Sequence, residues 1–280
     1  REPRDYGKVM RDLGEQLLAQ NVVYAEITLS IGVMLLRKQR VEDNFAAILE
    51  AARSFLERGL HIHFIFDAVR QFGVDAAMRV AESAEQCEQQ CRSSASATSA
   101  ANSIVAFGIG GDELSVPARE FRIVYDRAAE IGLHKLMHAG EIGGPQEIRD
   151  AIELLDVERI GHGIAAIRDP ALMDLLADRR IPLEICPQSN IKTGALARQL
   201  DVASANIEQH PMAKLFRHGI PVVLSTDDPA MFHTGLLDEY RHARRLGLNE
   251  EELTRMADMS FEYGFMNNVE RSRPGGSSAV

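Results

Sequence analysis

Residues 135–163 read KLMHAGEIGGPQEIRDAIELLDVERIGHG and contain one complete repeating unit of the fold. The apolar runs 135–138 and 159–161 predict strands, and the stretch between them has the apolar spacing of a helix. Two strands joined by a helix of this length lie parallel in one sheet. His138 ends the first strand and His162 follows the second. The unit therefore predicts a parallel sheet with histidines at the carboxyl ends of its strands.

The same alternation extends along the chain in both directions. Strands are predicted at 22–29, 62–66, 104–109, 135–138, 159–161, 182–185 and 222–225. Helices are predicted at 5–20, 44–58, 116–130, 145–155 and 170–178. Gly59, Gly132 and Gly219 each fall between a helix and the next strand, where a left-handed cap residue is expected. Seven such units are one short of a closed barrel.

Polar side chains at the strand ends decide between a barrel and an open sheet. They lie at or just beyond the carboxyl ends of the predicted strands: Glu26, Asp67, Asp112, Glu113, His138, Glu141, His162, Asn190, Asp227 and Asp228. Reactive residues from many strand ends are typical of the catalytic face of a barrel. The glycines at 108–111 are followed by Asp112 and Glu113 and do not complete the GxGxxG pattern of a dinucleotide fold.

We therefore expect an α/β protein, a TIM-type (β/α)8 barrel with seven βα units visible and its first strand missing from the sequence. Residues 1–270 are expected to form one barrel domain. The small, polar stretch 92–103 is expected to be a flexible connection, and the Pro/Gly/Ser-rich stretch 271–280 a flexible tail.

Composition narrows the classes of partner. The 280 residues include 41 acidic and 31 basic side chains, a net charge of -10, so binding to a nucleic acid is not expected. The apolar runs are too short to cross a bilayer and no leader-like segment opens the chain, so no membrane partner is expected. Three cysteines fit a reducing, cytoplasmic location.

None of the cysteines is expected to bind a metal. Cys87 and Cys91 lack a second His/Cys pair that would complete a tetrahedral site. Cys186 is followed by proline but not by the second thiolate of a cytidine-deaminase-type zinc site. We expect the Cys186 side chain to pack in the barrel interior.

Three motifs at strand ends carry residue types used in hydrolysis: HAGE at 138–141, GHG at 161–163 and STDDP at 225–229. Each has an ordinary alternative. Either histidine could be a core or surface residue, and an Asp-Asp-Pro turn could cap the next helix. Together, however, they supply metal ligands, a base and an acid from three strand ends. A hydrolase that acts on an aromatic amine needs these groups.

In these motifs the sequence resembles the adenosine deaminase family. The resemblance rests on HAGE and STDDP as above, RIGHG at 159–163, LEICPQSNIKTG at 183–194 and GGDE at 110–113. The motifs occur in the order of the family, and the resemblance extends from about Asp5 to about Phe265.

The resemblance implies a role for each matched residue. His138 and Asp227 would be zinc ligands. Glu141 would be the protonated carboxyl that donates to N1 of the purine, and His162 would orient and deprotonate the metal-bound water. Protonation of N1 makes C6 electrophilic, so an acid facing N1 agrees with the chemistry.

The resemblance also implies the ring contacts and the substrate class. Asp228 would hold N7, and Gly111 would offer its backbone N–H to N3. The expected substrate is a small adenine nucleoside, with adenosine first and free adenine or aminodeoxyfutalosine as alternatives. Phe232 and His233 could favour a bulkier 5′ group. A non-catalytic ligand-binding barrel is the alternative of another class.

The sequence departs from the family at its start. Members begin with a strand carrying His-x-His, which supplies two more ligands to one zinc ion per chain, and no such strand precedes Arg1. We expect these ligands to lie in an N-terminal segment absent from the sequence. His61-Ile62-His63 has the same spacing but begins its strand, which in a parallel barrel is the end away from the catalytic face.

Overall fold

A computed structural model describes residues 2–93 and 103–266. Most of the predicted connection at 92–103 and the whole of the predicted tail at 271–280 lie outside the described residues. Contacts divide the described chain into two compact units. The first holds the residues up to Gly110, the stretch Ile123–His134 and residues 265–266, and the second holds Gly111–Arg122 and Lys135–Gly264. That residues 1–270 act as one domain stays a prediction.

The first unit is a parallel sheet of three strands in chain order. These are β1 (Tyr24–Leu29), β2 (His61–Val69) and β3 (Ile104–Gly110). Its helices are α1 (Pro3–Ala19), α2 (Ile31–Leu36), α3 (Val41–Arg53), α4 (Val74–Ser93) and most of α5 (Arg122–Glu130). Phe45 of α3 contacts Phe64 and Phe66 of β2 edge to face, with centroids 5.3 and 5.1 Å apart. This aromatic contact fixes α3 against the sheet.

The second unit is a parallel sheet of four strands, also in chain order. These are β4 (His134–Ala139), β5 (Arg159–His162), β6 (Leu183–Ile185) and β7 (Val222–Leu224). Eight helices accompany them: α6 (Pro145–Leu154), α7 (Pro170–Asp178), α8 (Pro187–Lys192), α9 (Ala195–Gln199), α10 (Met212–Arg217), α11 (Pro229–Phe232), α12 (Leu236–Arg245) and α13 (Glu250–Tyr263). In the register, His138 lies opposite Gly161 and Ala139 opposite His162, so β4 and β5 end at the same edge.

All seven predicted strands are confirmed, with bounds that differ by at most three residues. The predicted cap glycines are confirmed too, because Gly59, Gly132 and Gly219 have φ of 84°, 81° and 99°. No bounds were predicted for the helices after residue 178, and α8, α9, α10 and α11 have only four to six residues each. Such a stretch holds too few apolar positions to show a helical period.

Two further sequence predictions concern membrane-spanning segments and the burial of Cys186. Within residues 2–93 and 103–266, no helix combines the length and the hydropathy that crossing a bilayer requires. Cys87 and Cys186 are buried, so the burial expected of the Cys186 side chain is confirmed.

Candidate functional site

The ends of β4 and β5 bring His138 and His162 together. Their ring centroids are 5.2 Å apart and the ring planes meet at 42°. Gly161 leaves room for this contact, because a Cβ at that position would lie only 3.1 Å from Cδ2 of His138. His162 is 2% exposed and has a left-handed φ of 61°. A histidine held in this sparsely populated backbone region indicates a functional constraint at the strand end.

Glu141 lies beside these rings. Its Oε2 is 3.6 Å from Nε2 of His162, and its side chain is 18% exposed. The Thr193 hydroxyl approaches the other carboxyl oxygen, Oε1, at 3.4 Å. The predicted acid and the predicted imidazole are therefore neighbours at the edge of the four-stranded sheet.

A buried carboxylate fixes the loop that carries Glu141. Glu113 is 3% exposed and accepts hydrogen bonds from four consecutive backbone N–H groups. The donors are Gly140 at 2.7 Å, Glu141 at 2.9 Å, Ile142 at 3.2 Å and Gly143 at 3.1 Å. A Cβ on Gly143 would lie 2.5 Å from Oε2 of Glu113, so the loop closes on the carboxylate only with glycine there.

The two aspartates after β7 have different local roles. Asp227 has a left-handed φ of 55°, and its Oδ2 accepts a hydrogen bond of 2.6 Å from the Ser189 hydroxyl. Asp228 is the N-cap of α11, and its Oδ1 accepts from the Met231 N–H at 2.8 Å. The helix-cap alternative therefore holds for Asp228. Asp227 is outside the cap.

His138 and Asp227 have the donor chemistry of a zinc site, since zinc in proteins is bound by imidazole nitrogen and carboxylate oxygen. A catalytic zinc ion usually takes three protein ligands. In the part of the chain that the structure describes, no three His, Cys, Asp or Glu side chains are arranged to hold a metal ion. The two side chains thus supply donor types of a zinc site, but fewer than the three protein ligands that a catalytic zinc ion usually takes.

Cys186 is near Asp227 but is not suited to bind a metal. Burial is the main cause that raises the pKa of its thiol well above the ordinary value, and the negative charge of Asp227 is the next. The thiolate is the form of cysteine that binds metals, and both effects oppose it.

The remaining predicted positions are also located. Gly111 is exposed, has a left-handed φ of 95° and comes two residues before Glu113. The second His-x-His sequence, His61-Ile62-His63, lies at the beginning of β2, as expected. The Nδ1 of His63 lies 3.2 Å from the Ser103 hydroxyl and its ring packs against Tyr24, which supports the prediction that it is not a zinc ligand.

The sequence analysis did not identify the hydrogen-bond partners of the site residues. Glu113 and Asn190 were recognised as polar residues at strand ends, but their partners were not. Ser189 and His210 were not considered at all. The buried Glu239, which is fully enclosed on α12, was missed as well. A polar residue in an apolar or helical stretch gives no local signal of its role, because the sequence does not show which distant groups it contacts.

A cavity of about 550 Å³ opens beside the loop at residues 140–143 that carries Glu141. Ile142, Gly143 and Gly144 line it, together with Arg168 and Arg198. None of the predicted catalytic or metal-binding side chains lines it, so the candidate site at the strand ends is separate from this cavity.

Glu239 has a consequence for stability against pH. Burial is the main cause that raises its pKa to about 7, although hydrogen bonds from the Thr234 hydroxyl and the Gln188 N–H oppose the shift. The folded protein therefore keeps this proton in a pH range where the unfolded chain gives it up. The stabilising effect is full below the unfolded pKa and is lost as the pH rises through about 7.

We expect Glu239→Gln, which cannot ionise, to become more stable relative to the wild type as the pH rises from about 5 to about 8. The relative change in the free energy of unfolding should be at most about 3 kcal/mol. Urea unfolding of both proteins at the two pH values measures it. Glu251→Gln, an exposed change on α13, is the control, and a difference independent of pH would contradict the assignment.

Known proteins match this chain over most of its length. The family described as Adenosine deaminase matches residues 1–273. The aminodeoxyfutalosine deaminase of Streptomyces coelicolor is 36% identical over 276 residues, which are 98% of this chain and 66% of that protein. The chain thus spans about two thirds of the length of that relative.

Solved structures agree with the predicted fold class. The adenine deaminase of Arthrobacter aurescens superposes with a TM-score of 0.83 at 26% identity, covering 97% of this chain and 77% of that one. A Burkholderia ambifaria amidohydrolase solved with bound zinc superposes with a TM-score of 0.82 at 21% identity, covering 96% and 71%. The predicted α/β barrel class is confirmed.

Proposed function

Because the chain belongs to the adenosine deaminase family, we propose that it removes the 6-amino group of an adenine-type substrate by hydrolysis. The products are the 6-oxopurine and ammonia. The observation that carries the proposal is the convergence of Glu141, His162 and His138 at two adjacent strand ends, with 3.6 Å between the carboxyl and the imidazole of the first two. A non-catalytic barrel has no need for this combination.

Glu141 is proposed to give a proton to N1 of the purine. Protonation at N1 draws electrons from C6 and prepares that carbon for attack. The four hydrogen bonds between Glu113 and the backbone of residues 140–143 hold the acid in one position. Such fixed positioning supports catalysis because the acid needs no reorganisation when the substrate binds.

His138 and Asp227 are proposed to hold a zinc ion together with ligands that the described residues do not supply. When bound, zinc makes a water molecule a better nucleophile near neutral pH. The hydrogen bond from Ser189 orients the Asp227 carboxylate. His162, between Glu141 and His138, is proposed to orient the attacking water.

Asp228 and Gly111 are proposed to bind the purine ring. The Asp228 Oδ1 caps α11, which leaves Oδ2 to meet N7. Either this oxygen or N7 must carry a proton for that contact. The backbone N–H of Gly111 is proposed to donate to N3.

The substrate is proposed to be adenosine or a related adenine nucleoside. Aminodeoxyfutalosine is a second candidate, supported by the identity of 36% to the Streptomyces coelicolor protein. Free adenine is a third, supported by the structural match to the adenine deaminase of Arthrobacter aurescens.

The function is tested by incubating the purified protein with each of the three compounds and measuring kcat/KM. We expect equal amounts of ammonia and 6-oxopurine from at least one of them. The compound with the highest kcat/KM identifies the substrate. Binding of all three without ammonia release from any would support the non-catalytic barrel instead.

Ser189→Ala tests the proposed metal site without removing a ligand. We expect the zinc affinity to fall about 10- to 100-fold, because a group that orients a metal ligand typically contributes this much. Zinc retained during competition with a chelator measures the affinity. Ser83→Ala, which removes a hydroxyl that donates to the Arg79 carbonyl within α4, is the control. Equal zinc affinities in the two variants would contradict the role of Asp227.

A further inference from the structure

Three buried side chains form a hydrogen-bonded line that ends at the catalytic histidine. His162, Asn190 and His210 are 2%, 0% and 4% exposed. The Asn190 Nδ2 lies 2.9 Å from Nδ1 of His162, and the Asn190 Oδ1 lies 3.2 Å from Nε2 of His210. The line continues to the backbone, where the Met212 nitrogen lies 3.1 Å from Nδ1 of His210.

The direction of every bond in this line follows from the Met212 end. A backbone N–H can only donate, so Nδ1 of His210 must accept and cannot carry a proton. Burial, and next to it the charges of His242 and His162, lowers the pKa of His210 to about 3. His210 is therefore neutral, and its single proton lies on Nε2.

The position of the proton on His210 fixes the orientation of the Asn190 amide, and the amide in turn fixes the position of the proton on His162. The Nε2–H of His210 donates to the Asn190 oxygen, which leaves the NH2 group of the amide facing His162. An amide NH2 can only donate, so Nδ1 of His162 must accept. A neutral His162 then carries its proton on Nε2, the nitrogen that faces Glu141 at 3.6 Å.

We propose that Asn190 and His210 are positioning residues that hold His162 in the Nε2–H tautomer, so that His162 presents a hydrogen-bond donor to the reacting groups. Its place in catalysis rests on the proposed function, but the tautomer itself does not. The sequence-based expectation that His162 deprotonates the attacking water is revised, because the nitrogen facing the site has no lone pair in this tautomer. His162 instead donates a hydrogen bond to the attacking oxygen and orients it.

Nuclear magnetic resonance of the protein labelled with 15N-histidine reads the tautomer directly. Two-bond proton–nitrogen correlations distinguish an Nε2–H ring from an Nδ1–H ring, and the signals lost in His162→Gln identify His162 among the nine histidines. We expect the Nε2–H pattern in the wild type. An Nδ1–H pattern there overturns the proposal whatever the variants do.

Asn190→Asp tests whether the amide sets the tautomer. The carboxylate replaces the donor with an acceptor of the same size, so we expect His162 to change to the Nδ1–H form. If the chain deaminates 6-aminopurines, kcat should fall about 10²-fold while KM stays within about threefold. Asn44→Asp places a carboxylate at another buried asparagine and is the control, with the His162 pattern unchanged.

The possible failures are distinguishable. An unchanged Nε2–H pattern in folded Asn190→Asp would contradict the role of the amide. A merely structural role of Asn190 would lower stability and leave the tautomer alone. If the tautomer behaves as expected but no substrate is turned over, the positioning role holds and the proposed function fails. If Asn190→Asp does not fold, the wild-type spectrum still decides.

Discussion

Replacing Glu141 with glutamine is expected to lower kcat for the deamination of 6-aminopurines by about 10³-fold. Glutamine has the same shape but has no acidic proton to give to N1, so C6 stays poorly electrophilic. The backbone N–H of residue 141 still bonds to Glu113, because the substitution leaves the main chain unchanged. We therefore expect the loop and the binding of the purine to be retained.

Steady-state kinetics and binding of the 6-oxopurine product are measured in the same preparation. Together they distinguish a loss of catalysis from a loss of purine binding. Thermal unfolding checks that the variant is folded. Glu153→Gln, an exposed glutamate on α6, is the control and should match the wild type in kcat. If Glu141→Gln retains more than about a tenth of the wild-type kcat, proton donation by this carboxyl is wrong.

The sequence predicted the strands and the polar side chains at their ends because both depend on local information. Short β-branched runs between helices mark the strands, and a polar residue directly after such a run must lie at its carboxyl end. His138 and His162 were found in this way, and β4 and β5 align them as neighbours. The distance between two adjacent parallel strands is nearly constant, so the juxtaposition follows from the assignment.

The partners of these side chains were not predictable because they come from distant segments. Glu113 meets the loop at residues 140–143 across about 30 positions of sequence, and His210 reaches His162 only through Asn190. Nothing local distinguishes Glu113 from the exposed Asp112 beside it. The left-handed backbone of Asp227 was also unforeseen, since such a conformation in a residue other than glycine is imposed by its surroundings.

Replacing Glu113 with glutamine is expected to reduce both stability and activity, although the residue is not predicted to touch the substrate. Each of its carboxyl oxygens accepts two backbone N–H groups, and an amide keeps only one acceptor oxygen. The NH2 group would face two donors, leaving them unsatisfied in a buried place. We expect the free energy of unfolding to fall by about 3 kcal/mol.

The loss of activity should follow from displacement of Glu141. The loop at 140–143 closes on the carboxylate, and repulsion from the new NH2 group would move the acid away from N1. A displacement of about 1 Å can lower kcat about 10²-fold. Urea unfolding and steady-state kinetics of Glu113→Gln measure the two effects, and Glu120→Gln, an exposed change in the same segment, is the control.

The two effects of Glu113→Gln also separate positioning from folding. In the absence of urea and at a low temperature the variant is fully folded. Under these conditions, a purely structural role of Glu113 would leave kcat at the wild-type value. A role in positioning keeps kcat low there, because the loop is displaced in the folded state itself. A wild-type kcat in the destabilised but folded variant would show that Glu141 is positioned without the Glu113 carboxylate. The loop at residues 140–143 would then be held by its other hydrogen bonds, such as those from Gln199 to the carbonyls of Glu141 and Gly143.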